Sequence, residues 1–315
     1  MSKKLFESCG ILTPYCRQLC KILDEHSRTD MTDIITQESL MLPNSHYENF
    51  PVASIILPRY LRAPIGLIYS FARQADDFAD EGDLTISERL ALLDGFKDEL
   101  DLLRAYIKPQ TAFFDILGAM IKAQRLPYEH FYDLLDAFSQ DVVKTRYANY
   151  GEVLDYCKRS ANPIGRLLLH LYGEASAKNN SLSDNICTAL QIINFLQDIA
   201  IDDKKNDGKQ RIYMCQDELK AFGITENQIA RQVVDERWQA FMQFNLQRVN
   251  ALIQSGKPLG RILKGRIGFE MRMIIAGGER IIAKITAVNG DVFNRRPTLN
   301  VFDWSIIFLK AVFRL

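Results

Sequence analysis

A chain of 315 residues can bury a substantial core, and its 39 Lys and Arg against 39 Asp and Glu leave no net charge. No global field then draws it to nucleic acid or anionic lipid, and any anionic substrate must be met by local groups. No stretch reaches the roughly 18 uninterrupted apolar residues of a membrane span.

Cys9, Cys16, Cys20, Cys157, Cys187 and Cys215 form no paired CxxC spacing and follow no apolar signal peptide, so a reducing, cytoplasmic setting is expected. His26, His46, His130 and His170 are too scattered for a zinc site or a histidine-based triad.

In chain order, helical patterning begins at 13–26 and resumes at 52–81, where Pro58 and Pro64 are expected to break it. Thr85 with Glu88, Ser181 with Asp184 and Thr225 with Gln228 have capping-box spacing, so helices should open there, over 86–106, 183–203 and 225–254. Pro127 stands where a first helical position would be, opening 128–147. Similar patterning marks 111–124, 151–173, 259–287 and 302–314, and no segment alternates convincingly as a strand. The chain therefore reads as an all-α, single-domain bundle with inward side chains around a central cavity.

Two rows of side chains stand out. Tyr69, Arg73, Asp76 and Asp80 share one face of their helix, and Gln191, Asn194, Asp198 and Asp202 share a face of another, each row within about 80° of arc. Aspartates four apart commonly mark a solvated face. Here both rows sit among apolar neighbours, so they are expected to be buried and opposed. Such carboxylates require cations, and Mg²⁺, which takes a few carboxylate oxygens completed by water and phosphate, fits best.

The polar stretch DDKKNDGKQRIYM follows directly on the second row, as either a surface connection or a substrate lid. The apolar tail FDWSIIFLKAVFRL reads either as a last core helix or as a foot resting on a membrane.

The segments HYENF (46–50), ARQADDFAD (72–80), YCKRSANPIG (156–165), QIINFLQDIAID (191–202), RIY (211–213) and DVFNRR (291–296) occur in the order and spacing of the squalene and phytoene synthase family, which the chain resembles over most of its length beyond about residue 40. HYENFPVAS, SANPIGRLLLHLYG and PLGRILKGRIGFEMRMIIAGGERI resemble its hydroxysqualene synthase branch. The resemblance implies an isoprenoid synthase domain over 46–300; patterning alone makes 1–45 a helical extension before it and 301–315 an apolar helix after it. The resemblance further implies conversion of presqualene diphosphate and water to hydroxysqualene and diphosphate in hopanoid biosynthesis. A sister synthase would supply the substrate and a flavin-dependent reductase would consume the product. The alternatives are head-to-head condensation of two farnesyl diphosphates to presqualene diphosphate or squalene and, in another class, a non-catalytic helical assembly factor.

Under this resemblance Asp76, Asp80, Asp198 and Asp202 hold Mg²⁺, with Asp77 assisting. Arg73 and Arg211 offer donor forks to phosphate oxygens, and Tyr213 and Asn194 complete the hydrogen bonds. Tyr47, Asn49, Gln191 and Arg295 are further candidates for substrate binding. Phe50, Tyr69 and Tyr156 are candidates to face a carbocation. NADPH is not expected, because water rather than hydride ends the reaction. Nucleic acid is not an expected partner; peripheral contact with the inner face of the cytoplasmic membrane stays open, as one of the two readings of the apolar tail. Gln197 stands where many relatives carry Arg, and Cys215 where the branch usually carries Pro. Removing Asp80 or Asp198 is expected to leave folding stability nearly unchanged by relieving repulsion between crowded carboxylates.

Overall fold

A computed structural model describes residues 57–202 and 211–313. In chain order it comprises α1 (Arg59–Asp80), α2 (Ile86–Arg104), α3 (Ala112–Gln124), α4 (Glu129–Val143), β1 (Arg146–Tyr147), α5 (Tyr150–Ser160), α6 (Asn162–Leu171), α7 (Ala177–Asp202), β2 (Ile212–Cys215), α8 (Gln216–Ala221), α9 (Glu226–Ala230), α10 (Glu236–Gly256), α11 (Leu259–Ile262), α12 (Gly265–Ala287) and α13 (Val301–Phe313). The expected helix at 13–26, the extension it belongs to, and the residues Tyr47, Asn49 and Phe50 lie outside the described residues.

The all-α expectation holds, with local corrections. Pro64 does not break α1: it is buried inside the helix, and Tyr60, the residue four positions before it whose carbonyl a proline cannot serve, is 71% exposed in the first turn. Thr85 and Glu88 form the reciprocal capping box that opens α2. The second proposed box does not open a helix. Ser176 caps α7 instead, accepting from the Asn179 amide at 3.2 Å, and Asp184 lies within the helix, paired with Arg166 at 2.6 Å. Pro127 precedes α4 by two residues and does not start it. The helix expected over 225–254 divides at Gln232, whose φ of 56° is left-handed, and restarts where Asp235 accepts from the Trp238 amide at 2.9 Å.

The described residues also contain a short parallel ladder that periodicity did not reveal, β1 against β2, with Arg146 opposite Ile212 and Tyr147 opposite Cys215. All four residues of β2 are buried. The RIYM end of the supposed lid is therefore core backbone, fixed beside α5 and α7, and residues 203–210 lie outside the description.

Apolar residues gather in two clusters. One joins α1 to α4 around Phe71, Phe114 and Phe131; the other joins α5, α7, α10, α12 and β2 around Tyr147, Trp238 and Phe241. Burying each such aromatic contributes about 2–3 kcal/mol. Gly290 turns the chain after α12 at φ 74°, where a side chain would be strained. Its carbonyl accepts from Trp238 Nε1 at 2.9 Å, which fixes the start of the segment 291–297.

Candidate active site

The first acidic row occupies the last turns of α1. Tyr69, Arg73, Asp76, Asp77 and Asp80 are half-buried, while Gln74 between them is exposed. Arg73 donates to Asp76 Oδ2 at 3.3 Å and Glu81 Oε1 at 3.0 Å, and pairs with Asp77. Burial opposes the Arg73 charge, yet Asp76, Asp77, Glu81 and Tyr69 together raise its pKa. The helix ends without a basic residue in its last turn, so its dipole adds to the negative potential there. Arg89 of α2 gathers the terminal carbonyls, donating to those of Phe78 and Glu81 at 3.0 Å and Gly82 at 2.6 Å.

The second row ends α7, again with no basic residue in the last turn. Ile192, Ile193, Phe195, Leu196 and Ile199 are buried, whereas Gln191 and Asp198 are half-buried and Asn194 is exposed. Asp202 is the final residue of the helix. Asp198 Oδ1 accepts from Arg296 Nε at 2.6 Å, and the adjacent Gln197, 1% exposed, donates to the Pro297 carbonyl at 2.7 Å. Two neighbouring side chains of α7 thus hold the DVFNRR segment against the row. Arg295 is exposed; the arginine that reaches the aspartates is Arg296.

Arg211 connects the two sides. It leaves the start of β2 and donates to Asp80 Oδ1 at 3.0 Å, the Asp141 carbonyl at 2.6 Å and Tyr213 Oη at 3.0 Å. Tyr213 in turn stacks on Phe195 of α7, centroids 3.8 Å apart and planes 6° apart, one helical turn before Asp198. A continuous path of side chains therefore runs from the end of α1 through Arg211, Tyr213 and Phe195 to the end of α7.

Behind Arg211 lies a buried carboxylate that sequence reading missed. Asp141, at the end of α4, accepts from the hydroxyls of Tyr156 and Tyr213, the latter at 3.1 Å. Burial pushes its pKa up, to about 6, although Arg211, Tyr156 and Tyr213 oppose the rise. Burial and the nearby Asp141 charge push Tyr156 and Tyr213 far above the ordinary phenol range, so both remain donors. Tyr147, Tyr156, Phe195 and Tyr213 have ring centroids 3.8–5.8 Å apart, forming an aromatic wall with a small cavity beside it lined by Tyr150, Ile192, Phe195, Tyr213 and Arg248.

The donor chemistry suits a hard divalent cation: the groups are carboxylate oxygens, placed at two helix ends where the dipoles make uncompensated anions costly. Among the described residues no three such groups form a metal-binding cluster; Asp76, Asp80 and Asp198 each face an arginine instead. Those guanidinium groups are equally suited to phosphate oxygens.

Asp141, Tyr147, Arg89, Gln197 and Arg296 thus join the residues expected from sequence. Two signals were present in sequence: the Arg295–Arg296 doublet, of which Arg296 is the member on Asp198, and Gln197, marked by standing where many relatives carry Arg. The others look like ordinary helix or strand positions until their partners, far away in sequence, are known.

Comparisons with known proteins identify the family and the fold. The profile of the squalene/phytoene synthase family matches residues 44–303. A hydroxysqualene synthase of Rhodopseudomonas palustris is 37% identical over 84% of this chain and 88% of its own length, and one from Sinorhizobium fredii is 35% identical over 76% and 79%. Among solved structures, squalene synthase HpnC from Alicyclobacillus acidocaldarius is 33% identical, with a TM-score of 0.69 over 78% of this chain and 90% of that one. A dehydrosqualene synthase at 16% identity, with a TM-score of 0.73 over 82% and 88%, shares the fold. The chain belongs to the squalene/phytoene synthase family, enzymes that process isoprenoid diphosphates.

Proposed function

We propose that the protein is a hydroxysqualene synthase, taking presqualene diphosphate and water to hydroxysqualene and diphosphate. The observation that carries this reading is the resemblance to hydroxysqualene synthases at 35–38% identity, joined to a site in which both acidic rows meet arginines. Asp76, Asp80, Asp198 and Asp202 would hold Mg²⁺, which when bound neutralises the diphosphate and makes it a better leaving group. Arg73, Arg211 and Arg296 already lie on the carboxylates and supply forked donors to phosphate oxygens as the substrate enters.

Breaking the bond between carbon and diphosphate oxygen leaves both electrons on the diphosphate and a cyclopropylcarbinyl cation on the lipid. Tyr156 and its aromatic neighbours form an apolar wall suited to shelter the cation while it rearranges. Phe195 covers one face of Tyr213 and Asp141 holds its hydroxyl, so this residue serves to position Arg211. Water then forms the new carbon–oxygen bond and gives up a proton, which leaves with diphosphate or solvent.

The second reading is condensation of farnesyl diphosphate, since a presqualene diphosphate synthase of Sinorhizobium fredii is 33% identical over 57% of this chain. Purified protein incubated with Mg²⁺ and presqualene diphosphate, without NADPH, separates the two. Hydroxysqualene is the expected product. Unchanged substrate, together with turnover of farnesyl diphosphate, assigns the condensation instead.

A further inference from the structure

The last helix carries a surface that the reaction does not use. Seven side chains of α13 are exposed, Val301, Phe302, Ser305, Phe308, Leu309, Val312 and Phe313, and six of them are apolar. They fall within about 140° of one face. Phe302 and Phe313 are 70% and 66% exposed. The only acidic residue of the helix, Asp303, is buried on the opposite face and held by Arg280 and Lys284, so this surface has no carboxylate of its own.

Cations flank one end of the face. Arg272 donates to the Ala311 carbonyl at 2.7 Å and to the Gly260 carbonyl at 2.8 Å, tying the last turns of α13 to the α11–α12 junction. There Arg261, Lys264 and Arg266 are exposed. Phe308 also meets Phe269 of α12 edge-on at 5.6 Å. An apolar helix face without exposed acids, bordered by basic side chains, has the charge and shape of an interfacial element.

We propose that α13 lies flat in the surface of an anionic lipid bilayer, with its exposed apolar face among the acyl chains and Arg261, Lys264 and Arg266 at the headgroups. At 13 residues it is a surface element and not a span. Its start lies only four residues after Pro297, whose carbonyl is held by Gln197 at the second acidic row. The same short segment therefore joins the membrane-facing helix to the candidate site, an arrangement suited to an apolar substrate drawn from the bilayer.

Co-sedimentation of the full chain with vesicles tests this without reference to catalysis. The protein should pellet with vesicles of phosphatidylcholine and phosphatidylglycerol, less with phosphatidylcholine alone, and less as salt is raised. The variant Phe302→Glu, Phe308→Glu, Phe313→Glu should bind at least about tenfold more weakly, and Lys264→Glu, Arg266→Glu about tenfold more weakly on anionic vesicles only. Because all five side chains are exposed or rim the face, melting temperature and turnover of detergent-dispersed substrate should stay near wild type, so failure of the proposed reaction would not be mistaken for failure of membrane docking. Wild-type protein that remains in the supernatant, or a triple glutamate variant that pellets equally well, overturns the proposal. So does a wild-type dimer that the triple variant dissociates without any vesicle binding, which would assign the face to a second copy.

Discussion

At Asp80 the carboxylate meets Arg211, which is nearly buried, whereas at Asp198 it meets Arg296 in a pair about three-tenths exposed on each side. Relief of crowding is therefore not the main effect of removing either aspartate, contrary to the expectation from sequence. Asp80→Ala leaves a buried guanidinium with only neutral acceptors and the more distant Asp141 carboxylate, 3.9 Å away, and should cost about 2 kcal/mol. Asp198→Ala breaks a screened pair and should cost under about 1 kcal/mol. Both should lower turnover by at least about a hundredfold. Urea unfolding and steady-state rates read the two effects separately, and equal stability losses at both sites would contradict the burial argument.

Asp141 makes a pH prediction with a definite sign. Its folded pKa, about 6, lies above the ordinary value of 3.8, so the folded protein retains the proton that the unfolded chain releases. Its contribution to stability is full below about 4 and declines as pH rises through about 6. Comparing wild type with Asp141→Asn by urea unfolding across pH 4–7 should show this fall in wild type only. A wild-type curve that rises relative to the Asn variant over that window would reverse the assignment.

At the scale of elements, the segment 291–297 and helix α13 are held by a few buried polar contacts. Gln197→Ala removes the hydrogen bond to Pro297 and should loosen Arg296 from Asp198, raising KM several-fold with a smaller effect on kcat. A change confined to stability would make Gln197 merely structural. Asp303 anchors α13. Burial pushes its pKa up, but the Asn300 amide, Lys284 and Arg280 outweigh this and bring it down to about 2. Because that value is depressed, its stabilisation is present above about pH 4 and lost as pH falls through about 2. Asp303→Ala should cost about 3 kcal/mol in thermal unfolding at neutral pH.

Elements were legible in sequence where local chemistry decides them. Thr85 and Glu88 cap each other, so α2 could be read directly. Ser176 could equally have been read as a cap, but the Ser181–Asp184 pair offered a more familiar spacing, and tertiary pairing with Arg166 had taken Asp184. The β1–β2 ladder joins residues about 65 apart and is too short to show alternation, so nothing local announced it.

For the whole molecule, regular placement of aspartates revealed the two rows, because a helix turns spacing into a shared face. The residues that join them, Arg211 to Asp80 and Arg296 to Asp198, lie 131 and 98 positions apart, and only the fold brings them together. Gln197 shows the limit of reading by family pattern: its type departs from the common arginine, yet its role as a buried clasp on Pro297 emerges only from the packed structure.

In the proposed reaction both acidic rows serve one diphosphate. Anomalous diffraction from crystals soaked with Mn²⁺ and inorganic diphosphate tests it most directly. Metal peaks are expected on carboxylates of both rows, Asp76 and Asp80 on one side and Asp198 and Asp202 on the other, with diphosphate between them. Peaks on one row alone, or none beside a bound diphosphate, would contradict it.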